Sequence, residues 1–286
     1  MKNIRTDLAV EAHELSRKNA GETEKIDGVE AHTSSRGAIS VTSVKITNKN
    51  GEEKLGKAAG NYVTIEAPNL KYSMADYESV CKIIADEINK MAEITHNTLT
   101  LVVGLGNRDI TPDAIGSEVV SKLMVTNHVK GNVTGLDNMG EVCAVAPGVL
   151  GTTGIETLEI IKGVKDRVKP QLIIAVDALA AADISRVNTT IQIADTGIQP
   201  GAGVGNNREG LNEQTLGVKV IAVGVPTVID ASNITDIEIP KELAPLMVTT
   251  KDIDLVIERM AKTVANGINM ALNRGWSLRD IESFVG

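Results

Sequence analysis

Apolar positions change period along the chain. In residues 5–18, Leu8, Val10, Ala12 and Leu15 recur at a spacing that predicts a helix. Residues 19–37 are polar and read as loop. AISVTSVKI (38–46) is β-branched and partly alternating, and NYVTIE (61–66) repeats that character, so both are expected as strands. Asn50-Gly51, between them, is a turn signal. Residues 38–70 thus form a small N-terminal β element.

From residue 74 the pattern changes. Residues 76–95 read as an amphipathic helix, and residues 99–103 are a short, continuously apolar run of the kind found in buried parallel strands. Helices are expected over 112–124, 153–168 and 252–273, the first with Pro112 near its opening turn. Strands are expected at 142–145, 171–176, 189–194 and 218–225. Strands alternating with helices predict an α/β fold of three layers, with helices on both faces of a mostly parallel, mixed sheet. The expected organisation is a single domain over 1–286, with an α/β core over 74–286.

Composition narrows the function classes. At 286 residues the chain is long enough for a large core. One Trp, one Phe and three Tyr leave that core to Ile, Val, Leu, Ala and Met. The net charge of −8 argues against direct nucleic-acid binding, which calls for a basic face. Two cysteines make no disulfide framework and fit a reducing compartment. The N-terminus lacks the apolar stretch of a secretory signal, and no apolar run is long enough to span a bilayer. The expectation is a soluble, intracellular protein with no membrane association.

VVGLGNRDITPDAIG (102–116) is the first stretch that suggests chemistry. A dinucleotide cradle needs a third glycine where this chain has Asp109, and a carboxylate there would repel phosphate. PGAGVGNNR (200–208) lacks the ending of a phosphate loop. A strand-to-helix turn fits better, with Gly104 and Gly106 supplying unusual backbone angles. Asp113 taken alone reads as a residue of the first helical turn. A second segment shifts the balance: LIIAVDALAA (172–181) puts Asp177 directly after an apolar run. Ligands of open α/β sheets sit beyond the carboxyl ends of the strands. Two carboxylates converging there can share a proton, one acting as acid and one as base, and so activate a water for peptide hydrolysis.

Other candidates are weaker. Asp195 lies in Asp-Thr-Gly, a tripeptide that also occurs in all-β aspartic proteases, and reads here as a strand-end residue supporting the site. Cys81 and Cys143 read as core, and His13, His32, His96 and His128 fall outside the motif segments. The competing class is a non-catalytic or nucleotide-binding module of the same fold.

The chain resembles the germination protease of spore-forming bacteria in VVGLGN, TPDAIG, APGVLGTTGIET (146–157), VDALAA, SRVNTTIQIADTGIQPGAGVGN (185–206), TLGVKVIAVGVPTVIDA (215–231), LAPLMVTTKDID (243–254) and RTDLAVEA (5–12). The resemblance implies a fold similar to hydrogenase maturation proteases and an atypical aspartic endopeptidase. It implies a zymogen, a homotetramer, and small acid-soluble spore proteins as substrates, in the cytoplasm of the developing spore and the spore core. The family's catalytic aspartates fall on Asp113 and Asp177. Gly104, Gly106 and Asn107 would shape the turn beside them, with a backbone N–H there as oxyanion donor, and Arg186 and Asp195 would border the cleft. The family cuts after an acidic residue, which makes Asp7–Leu8 the expected propeptide bond and residues 1–7 the propeptide. Two departures stand out. Residues 232–242 join directly where longer members carry an insert. No histidine matches the one that holds metal in the hydrogenase-maturation relatives, so no cofactor is expected, although a metal is not excluded.

Overall fold

The computed structural model describes residues 5–20, 25–130, 139–201, 209–234 and 246–285. Its centre is one sheet of strands β1 (Val29–Arg36), β2 (Ile39–Ile46), β3 (Gly60–Glu66), β4 (Leu99–Gly104), β5 (Glu141–Val145), β6 (Leu172–Ala181), β7 (Thr190–Ala194), β8 (Lys219–Asp230) and β9 (Met247–Val248). The spatial order is β1-β2-β3-β7-β8-β6-β4-β5, with β9 beside β8. Strands β8, β6, β4 and β5 run parallel, whereas β1, β2, β3, β7 and β8 pair antiparallel in turn. The N-terminal β element is therefore the antiparallel half of the same sheet.

Helices cover both faces. The helices are α1 (Ala9–Ala20), α2 (Lys49–Leu55), α3 (Tyr77–Met91), α4 (Ile115–Ser121), α5 (Leu150–Thr153), α6 (Thr157–Val168), α7 (Glu213–Leu216), α8 (Ile253–Leu272) and α9 (Leu278–Val285). Helix α3 buries Tyr77, Val80, Cys81, Ile84, Ile88 and Met91, one stripe at helical spacing. That stripe, with α4 and α8, packs on Ile174 and Val176 of β6. Ile173 and Ala175 point the other way, into a cluster with Leu158 and Ile161 of α6. Each such aliphatic side chain contributes about 1.5–3 kcal/mol by burial.

Several elements differ from the sequence expectation. Strand β1 was expected as loop. It is exposed at every residue but its first, so no alternation marks it, and it forms by pairing with β2 along its whole length. Asn50-Gly51 lies in the first turn of α2, not in a hairpin. The side chain of Asn48 accepts from Gly51 N–H as N-cap, and Gly56 closes the helix in the left-handed region. The helix expected over 112–124 is a 3-10 turn, Thr111–Asp113, followed by α4. Strands β6 and β8 each run past their expected ends. Residues 202–208 of the stretch weighed as a phosphate loop (200–208), and most of 232–242, lie outside the described residues.

Candidate active site

The site grows from the end of β4. Its last residue, Gly104, pairs with Val176 of β6. The chain then turns away, and Leu105 donates its N–H to the Val176 carbonyl at 2.8 Å. Strand β6 continues alongside β8 without β4. Asp177 is therefore inside β6, not after it, at the first position beyond the pairing with β4. It is only 5% exposed, and a buried carboxylate needs hydrogen-bond donors. The N–H of Ala178 supplies one to Oδ1 at 2.9 Å.

Asp113 reaches the same turn from the other side. Asn107 donates its backbone N–H to Asp113 Oδ2 at 2.7 Å, and its own side-chain oxygen accepts from Asp109 N–H at 3.0 Å. That backbone donor, expected to face an oxyanion, is engaged by a carboxylate. Gly106 has φ +95°, open to glycine at little cost. At Gly116, a β-carbon would stand 2.3 Å from the Leu105 carbonyl oxygen, so α4 starts hard against this turn. The Thr227 hydroxyl on β8 donates to the Pro112 carbonyl at 2.6 Å and fixes the 3-10 turn over the strand ends. The turn 105–107 thus holds the Asp113 carboxylate through Asn107 and the backbone of Val176, the residue before Asp177, through Leu105. Gly104 serves close packing against Gly116, and Gly106 serves the positive φ.

Two other candidates are not brought to this turn. Asp195 accepts from the backbone N–H of Asn61 at 2.8 Å and from its side-chain amide at 2.6 Å, which ties the end of β7 to the start of β3. Along the sheet it lies beyond Ala194, which pairs with Ala222, whereas Asp177 pairs with Gly224. At about 3.3 Å per residue and about 4.8 Å per strand, the two aspartates are roughly 14 Å apart in backbone position. Arg186 forms a two-pronged pair with Glu14 at 2.7 Å, donates to Glu66 at 2.8 Å and faces Glu11 at 3.7 Å. The bond to Glu14, above all, holds its guanidinium more firmly protonated than usual.

The N-terminal segment docks on the face of the sheet that carries Asp177. Leu8 is fully buried and packs with Leu179, Ala181, Val187 and Ile229. Asp7 pairs with Ala180 twice: its N–H donates to the Ala180 carbonyl at 3.0 Å, and its carboxylate accepts the Ala180 N–H at 2.8 Å. Its carbonyl oxygen accepts from Lys57 Nζ at 2.8 Å and from Gln192 Nε2 at 3.1 Å. Glu11 accepts from the N–H groups of Ala182 and Asp183 at 2.7 and 2.9 Å and from the Thr6 hydroxyl. Burial pushes the Asp7 and Glu11 carboxyls above their ordinary range, against these hydrogen bonds. Burial pushes the Lys57 ammonium below its own, against the attraction of Asp7 and Glu11. Beside the segment opens a cleft of about 1410 Å³, walled by Asp7, Lys57, Gln192 and Gly224 among others but not by Asp113 or Asp177.

Sequence reasoning missed Lys57 and Gln192. Lys57 sits in a polar run with nothing to distinguish it. Gln192 left a trace, as an amide in the apolar strand TTIQIA. Among the described residues, no three His, Cys, Asp or Glu side chains group as a metal site requires, and no helix is long and apolar enough to cross a membrane.

Fold and site together define an α/β protein whose polar centre lies at the carboxyl ends of its parallel strands, where such sheets bind ligands. A family model described as germination protease matches residues 9–243. The chain belongs to the germination protease family, and is by that membership a germination-associated protease. It is 43% identical to the germination protease of Clostridium tetani, with 99% of each chain covered. It is 42% identical to that of Clostridium acetobutylicum, with 100% of each covered, and 36% identical to that of Halalkalibacterium halodurans, covering 99% of this chain and 97% of the relative. The C. tetani alignment spans 324 positions against a chain of 286, so that relative carries residues this one lacks. Among solved structures, the [NiFe] hydrogenase maturation protease of Thermococcus kodakarensis overlaps 60% of this chain and 92% of its own, at a TM-score of 0.36 and 21% identity.

Proposed function

We propose that this protease is an aspartic-type endopeptidase that begins the degradation of small acid-soluble spore proteins during germination. Asp113 and Asp177 form its catalytic pair. One carboxylate takes a proton from water, which attacks the scissile carbonyl, and the other carboxyl protonates the leaving amine. The observation that supports this reading is that the 105–107 turn bonds both the Asp113 carboxylate and the Val176 carbonyl next to Asp177. The protein is made as a zymogen that cuts its own Asp7–Leu8 bond, releasing residues 1–7. It works as a homotetramer in the cytoplasm of the developing spore and the spore core, as one domain over 1–286. Gly104, Gly106 and Asn107 shape the catalytic turn. Asp195 and Arg186 act at a distance, through the sheet and through α1.

The test is to incubate the purified full-length protein with small acid-soluble spore proteins, beside Asp113→Asn and Asp177→Asn. Discrete cleavage by the wild type, lost in both folded variants, is the expected result. An inert wild type that binds a mononucleotide tightly would favour a non-catalytic module instead.

A further inference from the structure

Two donors converge on one main-chain oxygen in the docked N-terminal segment. The Asp7 carbonyl accepts from Lys57 Nζ at 2.8 Å and from Gln192 Nε2 at 3.1 Å. Donors already at a carbonyl oxygen stand where they can follow it as it becomes an oxyanion, whose stabilisation calls for such donors. This carbonyl belongs to the Asp7–Leu8 bond, which the family resemblance singles out.

Docking does not rest on this pair alone. Asp7 already holds Ala180 through its N–H and its carboxylate, Leu8 is fully buried, and Glu11 takes two backbone N–H groups. Removing an ammonium from water disfavours its charge, and Lys57 shows that cost in its lowered pKa. The ammonium faces the Asp7 and Glu11 carboxylates, and it also polarises the one C=O bond that it touches. Gln192 is held for the same task, because its Oε1 accepts Ala9 N–H at 2.7 Å and so turns Nε2 toward the Asp7 oxygen. The two donors also stand on the face of Asp177. Gln192 pairs with Gly224 and Gly224 with Asp177, so all three share one row across the sheet.

We infer that Lys57 and Gln192 are the oxyanion-stabilising pair for cleavage of the Asp7–Leu8 bond, an inference that rests on the proposed self-cleavage. In the step, the ionised carboxylate of the aspartate pair takes a proton from water. The water oxygen bonds to the Asp7 carbonyl carbon, and the C=O π pair moves onto the oxygen held by Lys57 and Gln192. Collapse re-forms C=O and breaks the C–N bond, and the protonated carboxyl gives its proton to the Leu8 nitrogen. The products are a carboxyl at Asp7 and an amine at Leu8. Asp7 is anchored at Ala180, three residues or roughly 10 Å along β6 from Asp177. The segment and the aspartates must therefore approach each other, and the four-carbon stem of Lys57 lets the ammonium follow the oxygen.

The experiment follows intact mass over time in the full-length wild type, Lys57→Met, Lys57→Arg and Gln192→Glu. Hydrogen exchange over residues 9–18 checks in each that the segment is docked. Loss of an oxyanion donor costs about 10²–10³-fold in rate, so Lys57→Met is expected to slow cleavage by that order and Lys57→Arg to recover most of it. Gln192→Glu keeps the acceptor for Ala9 N–H but loses the donor, and is expected to slow cleavage with the segment still docked. A pair that merely clamps the segment predicts the opposite sign: loosening it leaves cleavage unchanged or faster. That result in either Lys57→Met or Gln192→Glu overturns the inference. Should Lys57→Met fail to dock, Gln192→Glu decides. If the wild type never cuts at Asp7–Leu8, the self-cleavage reading falls first and this one with it.

Discussion

A β-carbon placed on Gly106 would stand 2.0 Å from the carbonyl oxygen of Asp113. The neighbour is backbone, which cannot swing aside, and Gly106 already sits at φ +95°. Gly106→Ala is expected to lose about 1–2 kcal/mol of stability from the backbone angle alone. It is also expected to lose most of its hydrolytic activity, because Asp113 must move. Urea unfolding and digestion of a spore protein, measured together, check this. An active, wild-type-stable Gly106→Ala would show that the turn does not position Asp113.

The proposed catalytic pair and Asp195 separate by size of effect. Asp113→Asn and Asp177→Asn keep their shape but cannot take a proton, and each is expected to cost about 10²–10⁴-fold in rate. Asp195→Asn loses charge-assisted bonds between β7 and β3 at an exposed site, for about 1 kcal/mol of stability. Its turnover per folded molecule is expected to stay near wild type. An equally inactive but folded Asp195→Asn would move this residue into the chemistry.

Arg186→Met tests how α1 is held. The side chain is 11% exposed and serves Glu11, Glu14 and Glu66, of which Glu14 is 46% exposed and well screened. An expected loss of about 1–3 kcal/mol lies between the values for surface and buried pairs. Faster hydrogen exchange in residues 9–18, with little change in α8, is the signature to look for.

Acid is expected to tighten the N-terminal segment. Asp7 and Glu11 bind a proton more strongly when docked than when free, because burial outweighs their hydrogen bonds. Their contribution is full below the ordinary values of 3.8 and 4.5 and is lost as the pH rises through the raised ones. Lys57 and His13 have the opposite sign, since burial lowers both, and the two carboxyls must outweigh them. Protection of residues 7–18, corrected for intrinsic exchange, should hold or rise as the pH falls from neutral toward the carboxylate range. A marked fall would mean that other groups govern docking.

Much of this architecture is visible in the periodicity. The α3 stripe and the apolar run of β4 declare themselves because each buries a full face. Strand β1 does not, since it buries almost nothing. Asn50-Gly51 misleads because Asn48, two residues earlier, caps a helix that propensity alone would not start. Asp113 and Asp177 stand out as carboxylates after apolar runs. The placement of Asp177 inside β6 depends on where β4 stops, which is a property of the pair of strands. Lys57 and Gln192 meet at Asp7 from distant parts of the chain, so no local pattern records them.

The Thr6 hydroxyl bridges Leu8 N–H, at 3.0 Å, and the Glu11 carboxylate. Under the proposed cleavage between Asp7 and Leu8, that hydroxyl would leave with residues 1–7. The same cut would turn a neutral amide into an ammonium at the start of α1, where the helix dipole disfavours positive charge. Glu11 stands one hydroxyl's width from the new charge, in the first turn of the same helix, with Ala182 and Asp183 holding it in place. A chain end made by that cut would meet a counter-charge already in position, and α1 would keep its seat on the sheet while the peptide that led into it departs.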